Sequence, residues 1–253
     1  MGKVIAIANQ KGGVAKTTTT VNLGANLADL GKKVLILDSD PQGNATSGIG
    51  IDKYSLEGCF YDVLINGEPV NDHIIPTQVP GLDLVPATLQ LAGAEVEMVA
   101  LESREYLVRR ALEPVRDRYD YILIDCPPSL GLLTVNAFTA ADTYLIPVQC
   151  EYYALEGLSL LLRTLDSIRK SLNPDLQLEG ALLTMYDSRT NLSDQVKDEI
   201  QAYFKDKMFR SEIPRNIRLA EAPSYGLPIS LYDPRSKGAQ AYYDLAKEVM
   251  ANG

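Results

Sequence analysis

Lys11 and Lys16 bracket two glycines in the stretch KVIAIANQKGGVAKTTTT, and Thr17 and Thr18 follow the second lysine directly. Residues of these types at this spacing suit phosphate. Gly12 and Gly13 let the backbone approach an anion closely, so that successive N–H groups converge on its oxygens. Lys16 supplies a mobile charge for the outer phosphates, and the Thr17 hydroxyl is placed to ligate Mg²⁺. Lys11, Gly12, Gly13, Val14, Ala15, Lys16, Thr17 and Thr18 therefore make up one candidate triphosphate cradle. Three aspartates complete the set. Asp125 ends the apolar run YILID, a position from which a carboxylate reaches a metal through water or a loop hydroxyl. Asp38 and Asp40 stand two apart in VLILDSDPQGN and would share a face if the strand continued. A carboxylate beside a γ-phosphate is repelled unless Mg²⁺ and lysines offset its charge, which makes sense of two lysines in one loop.

These groups need elements to hold them. Val4 to Ala8 reads as a strand buried on both faces, and a helix beginning near Lys16 would bury Val21, Leu23, Leu27 and Leu30 and end at Gly31. Its N-terminal N–H groups and dipole would face the phosphates. Further strands are predicted at Val34–Asp38, Leu82–Val85, Tyr121–Asp125, Tyr144–Val148, Leu178–Thr184 and Phe209–Ile213, alternating with helical patterns. That alternation predicts an α/β fold, a mainly parallel twisted sheet with helices on both faces. Ligands bind such sheets at the carboxyl ends of the strands, where the loop, Asp38 to Asp40 and Asp125 would all emerge.

The ordinary nucleotide loop has Gly where this chain has Gln10 and Ala15, so the strict pattern fails twice. KGGVAKT instead fits K-G-G-x-x-K-[ST], and the chain resembles the deviant Walker A ATPases, in particular the ParA/Soj partitioning branch. DSDPQGNATSG, YDYILIDCPPSLG, IPVQCEYYALEG and IPRNIRLAEAPSYGLPI carry the resemblance over nearly the whole length. It implies a P-loop NTPase fold, ATP and Mg²⁺ as ligands, and slow, partner-stimulated hydrolysis. Asp40 matches the residue that orients the attacking water, with Asp38 nearer the metal side. Lys11 matches the lysine that reaches a partner's phosphates in an ATP sandwich dimer, so Lys11, Lys16 and Asp40 are the catalytic candidates. Pro214 and Asn216 match adenine contacts. Arg189 and Arg218 match arginines that hold non-specific DNA, and the expected partner is a ParB-type centromere-binding protein. The relatives mostly carry Gly at position 15, and Ala there costs on the order of 1 kcal/mol if φ must be positive.

Length and composition set bounds. The 253 residues, 46% hydrophobic, show no linker, repeat or low-complexity tract, which predicts one domain over 1–253. No apolar run approaches the ~20 residues of a membrane span, so a cytoplasmic protein without membrane contact is expected, and the resemblance implies association with the nucleoid. Three cysteines without C-x-x-C spacing argue for buried free thiols rather than disulfides or zinc. His73, the single histidine, falls in the turn-rich 49–80 stretch, where a surface position is expected. The net charge of −9 disfavours a surface covered in nucleic-acid contacts, and 187–221 carries seven basic and seven acidic residues. DNA binding would therefore be local and salt-sensitive. Two other readings share the fold. A MinD-like division-site ATPase needs a basic amphipathic tail, whereas AYYDLAKEVMANG reads as a helix packed on the core. An ATP-dependent metabolic ligase needs a second substrate pocket.

Overall fold

The computed structural model describes residues 1–151 and 154–252. Tyr152 and Tyr153, within one of the resemblance blocks, lie outside the described residues. Among the described residues eight strands form one sheet in the order β3-β4-β2-β5-β1-β6-β7-β8. They are β1 Lys3–Ile7, β2 Val34–Asp38, β3 Ile75–Pro76, β4 Leu82–Val85, β5 Tyr121–Asp125, β6 Thr143–Gln149, β7 Gln177–Tyr186 and β8 Met208–Pro214. Every pairing is parallel except β3 with β4, a two-residue antiparallel edge that was not anticipated. Ile75–Pro76 is too short for periodicity to register, and Pro cannot donate to a ladder, which confines it to an edge.

The helices are α1 Lys16–Asp29, α2 Asn44–Gly48, α3 Leu91–Glu97, α4 Leu107–Leu112, α5 Leu132–Ala140, α6 Ala154–Ser171, α7 Asn191–Phe204, α8 Ile217–Glu221, α9 Ile229–Tyr232 and α10 Lys237–Ala251. They cover both faces of the sheet. Strand alternation divides the interior in two: in β1, Val4 and Ala6 join the core under α3 to α7, while Ile5 and Ile7 join that under α1 and α10. A sheet so covered needs continuous apolar strands, and β2 and β5 are buried throughout. The C-terminal segment is a core helix as expected, with Tyr242, Leu245, Ala246 and Val249 buried. Among the described residues no helix is long and apolar enough to cross a membrane.

Two expectations meet different outcomes. All three cysteines are free and buried. His73, expected at the surface, is instead buried, its Nε2 at 2.8 Å from Glu68 Oε2. The short helical turn at Val70–His73 tucks the ring against Gly58, where a Cβ would lie 2.6 Å from the imidazole. That glycine makes the room.

Candidate functional site

Where β1 ends, the chain makes the turn that the glycines allow. Asn9 fastens it on both sides, donating Nδ2–H to the Pro147 carbonyl at 2.8 Å and accepting the Lys11 N–H on Oδ1 at 3.0 Å. From β7, Thr184 donates its hydroxyl to the Val14 carbonyl at 3.2 Å. Gly13 takes φ 75° and Ala15, directly before α1, takes φ 67°. The left-handed requirement at position 15 is therefore real, and Ala bears it without a side-chain cap.

Lys16 opens α1 and turns its Nζ back to the Lys11 carbonyl at 3.2 Å. Burial depresses its pKa, opposed chiefly by Asp125. A second anion at the cradle would favour the charged form further. Thr17 donates to Asp125 Oδ2 at 2.7 Å, and Thr20 lies 3.0 Å from Asp125 Oδ1. Thr20 was not singled out from sequence, yet its signal was present: residues i and i+3 of a helix share a face. Burial pushes the Asp125 carboxyl well above the usual range, and the neighbouring Asp38 charge adds to it. The two aspartates are register partners on β2 and β5. The donor set fits Mg²⁺, since a hydroxyl already held by a carboxylate lies at the mouth of a lysine-bearing anion cradle.

The β2 strand stops at Asp38, so Asp38 and Asp40 do not share a strand face. A turn joins them instead. Asp38 Oδ1 accepts the Asp40 N–H at 3.2 Å, and its Oδ2 accepts the N–H and hydroxyl of Thr46 at 2.8 and 2.7 Å. Thr46 Oγ1 in turn accepts the Ala87 N–H at 3.0 Å, tying α2 to the loop after β4. Both oxygens of Asp38 are thus engaged in holding the loop. Asp40 is buried and accepts the Gln42 N–H at 2.9 Å, and its charge reaches Lys16.

Lys11 pairs with Glu151, which follows β6, and both side chains remain partly exposed. Beside the cradle lies a cavity of about 320 Å³ bounded by Ala15, Thr18, Met185, Pro214, Asn216 and Tyr242 among others. Pro214 and Asn216 reach this cavity from the end of β8; Met185 and Tyr242 were not singled out from the sequence. Met185 has φ 52°, and the Tyr242 hydroxyl shares a 3.2 Å hydrogen bond with Thr19 Oγ1. Asn216 Oδ1 caps α8 by accepting the Arg218 N–H at 2.8 Å, which leaves its amide N–H groups for a ligand. Cys126, next to Asp125, is fully buried and its thiol is pushed far up, which makes it inert.

Arg189 and Arg218 do not line that cavity but sit on neighbouring supports. β7 and β8 run in parallel with Tyr186 opposite Pro214, and the arginines follow these strand ends by three and four residues. Arg215 N–H donates to the Tyr186 carbonyl at 3.0 Å, joining the two exits.

Comparison with known proteins agrees with this geometry. Residues 2–178 match the AAA domain family. The chain is 64% identical to the sporulation initiation inhibitor protein Soj of Bacillus subtilis, over 100% of both chains. It is 54% identical to the chromosome partitioning protein ParA of Myxococcus xanthus, over 99% of this chain and 88% of that one. The solved structure of a cobyrinic acid a,c-diamide synthase from Mycobacterium smegmatis with bound ADP and magnesium superposes with TM-score 0.86 at 40% identity, covering 98% of this chain and 93% of the other. With a P-loop NTPase fold, a two-lysine cradle and full-length identity of this order, the chain belongs to the ParA/Soj family of deviant Walker A ATPases.

Proposed function

We propose that this chain, acting as a single domain over residues 1–253, is an ATP-driven switch for DNA partitioning. ATP binds with Mg²⁺, two copies pair across it, the pair holds non-specific DNA, and hydrolysis stimulated by a ParB-type protein releases it. The observation that carries the reading is the meeting of Lys16, Thr17, Asp125 and Asp40 at one rim, with Lys11 partly exposed beside them. Backbone N–H groups from Gly12 to Thr18 and the Lys16 ammonium hold the phosphates. Thr17 and Asp125, already joined by a hydrogen bond, would hold the metal, while Asp38 braces the loop nearby. Mg²⁺, once bound, supplies charge neutralisation at the phosphates. Asp40 orients the attacking water. Lys11, released from Glu151, reaches the partner's nucleotide, and Pro214 and Asn216 line the adenine side.

Pairing doubles any DNA patch, so ATP would raise avidity for DNA without new contact chemistry. The name of the diamide synthase favours a second reading, a ligase that spends ATP on a small carboxylate. The full-length identity to Soj and ParA is higher, which favours partitioning. One experiment separates them: the mass of the protein and its binding to non-specific duplex at low salt, with ADP and with Mg²⁺ and ATP. ATP-dependent dimers that retain DNA, lost in Lys11→Ala while ATP still binds, support the switch. A monomer indifferent to DNA that releases phosphate only with a small carboxylate would overturn it.

A further inference from the structure

The two arginines assigned to DNA are already engaged. Arg189 forks onto Asp187, Nε to Oδ1 at 2.8 Å and Nη2 to Oδ2 at 2.6 Å, although its side chain is 85% exposed. Arg218 donates Nη1–H to Glu221 Oε2 at 2.9 Å and lies 3.5 Å from Asp233 Oδ2. Tyr232 donates its hydroxyl to the same Glu221 oxygen at 3.0 Å, which fixes that carboxylate in place. A guanidinium paired with a nearby carboxylate thus follows each of the two neighbouring strand exits, Arg189 with Asp187 on the loop after β7 and Arg218 with Glu221 one turn apart in α8. The Arg189 pair is a bidentate fork, the geometry with which arginine also grips phosphate, whereas Arg218 makes a single hydrogen bond to Glu221.

We propose that Asp187 and Glu221 are built-in stand-ins for nucleic-acid phosphate, masking Arg189 and Arg218 until a backbone phosphate displaces them. The proposal rests on the DNA-binding reading above and adds a regulation to that site. The chain gains discrimination from it. A single exposed ion pair is worth little, so exchanging one tethered carboxylate for one lone phosphate or short anion gains little. A duplex presents phosphates in series and displaces the carboxylates at both strand exits, and on both subunits of a pair, together. The net charge of −9 acts in the same direction at longer range. Hydrogen bonds from the Arg189 side chain and backbone, with smaller help from the charges of Arg189 and Arg215, lower the Asp187 carboxyl to about 2, so the carboxylate stays charged at any working pH.

Amide variants test this without dismantling the loop after β7 or α8. Asp187→Asn keeps an oxygen for the Arg189 N–H, which Asp187 Oδ1 accepts at 3.1 Å, and Glu221→Gln keeps one for Tyr232. Glu113→Gln is the control. Glu113 is exposed on the connection into the start of β5, at the opposite end of the sheet from the arginines. Binding to a non-specific duplex is titrated with Mg²⁺ and ATP across a salt series. Each amide variant should bind about two to five times more tightly than the parent, the double variant more tightly than either, with a salt slope steeper by up to about one unit per pair. Glu113→Gln should gain less. Equal gains in all three variants would mean that only net charge matters and would overturn the masking. If Arg189→Ala and Arg218→Ala weaken binding while the amide variants match the parent, the masking falls and the DNA reading stands. If neither parent nor double amide variant binds duplex, both fall.

Discussion

A buried aspartate two hydrogen bonds deep is costly to a protein without its ligand. Asp125 lies fully buried beside Asp38, and burial raises its pKa despite the hydroxyls of Thr17 and Thr20. With the folded value above the unfolded one, the group contributes stability fully below about pH 4, and that contribution is lost as pH rises through the folded value. The nucleotide-free protein should therefore lose thermal stability as pH rises from about 4 through neutrality. Asp125→Asn, which retains hydrogen bonding to the threonines, should flatten that fall and melt higher than the parent at pH 8, while losing most of the stabilisation by Mg²⁺ and ATP. Melting curves over a pH series check this; parallel curves for parent and variant would refute it. At this scale the sequence was informative wherever one motif carries its own geometry, as for Lys16, Thr17 and Asp125. It was silent on Glu151 and Thr46, because a partner 140 residues from Lys11, or one that ties α2 to the loop after β4, depends on strand order. For Asp38 and Asp40 the two-residue spacing misled, since it assumed a strand that ends at Asp38.

Among elements, the end strand β8 shows what periodicity leaves out. Its hydrophobic stretch was legible, but its extent and pairing were not. Ala181 faces Met208 while Leu183 faces Glu212, so β8 has two extra residues over that interval and bulges. Glu248 of α10 accepts the freed N–H groups of Arg210 and Ser211 at 2.8 and 2.7 Å. In the sequence Glu248 reads as an ordinary polar residue of an amphipathic helix; its task follows from a bulge that no local pattern encodes. Glu248→Ala leaves two backbone donors without their carboxylate and should cost about 1–3 kcal/mol, or several degrees in midpoint, whereas Glu248→Gln should cost less. Denaturant unfolding of both variants decides it, and an unchanged midpoint in Glu248→Ala would show that water replaces the carboxylate freely. The central strands were easier to read because burial on both faces leaves little choice of residue.

Across the whole molecule, one rim of the sheet carries everything proposed to act. β1, β2 and β5 present the phosphate cradle and its aspartates, and β7 and β8 present the arginines. The two groups are not independent. Ile213 to Asn216 line the cavity beside the cradle, and Arg218 is the second residue beyond, its N–H held by the Asn216 side chain. In the proposed switch, filling the cavity and holding DNA would therefore act on the same few residues. Binding free energies are reciprocal, so whatever nucleotide does to DNA affinity through this bend, DNA must do to nucleotide affinity by the same factor. The prediction is that non-specific duplex, at low salt and at concentrations high enough to saturate even the weaker unpaired protein, tightens ATP binding about twofold or more in Lys11→Ala, measured with a fluorescent ATP analogue. Identical affinity with and without duplex would show the bend to be inert. If the coupling holds, the clock for nucleotide loss runs at different speeds in different places, slower for a molecule resting on the chromosome and faster for one adrift. A stretch of chain from Pro214 to Arg218 would then convert position in the cell into elapsed time.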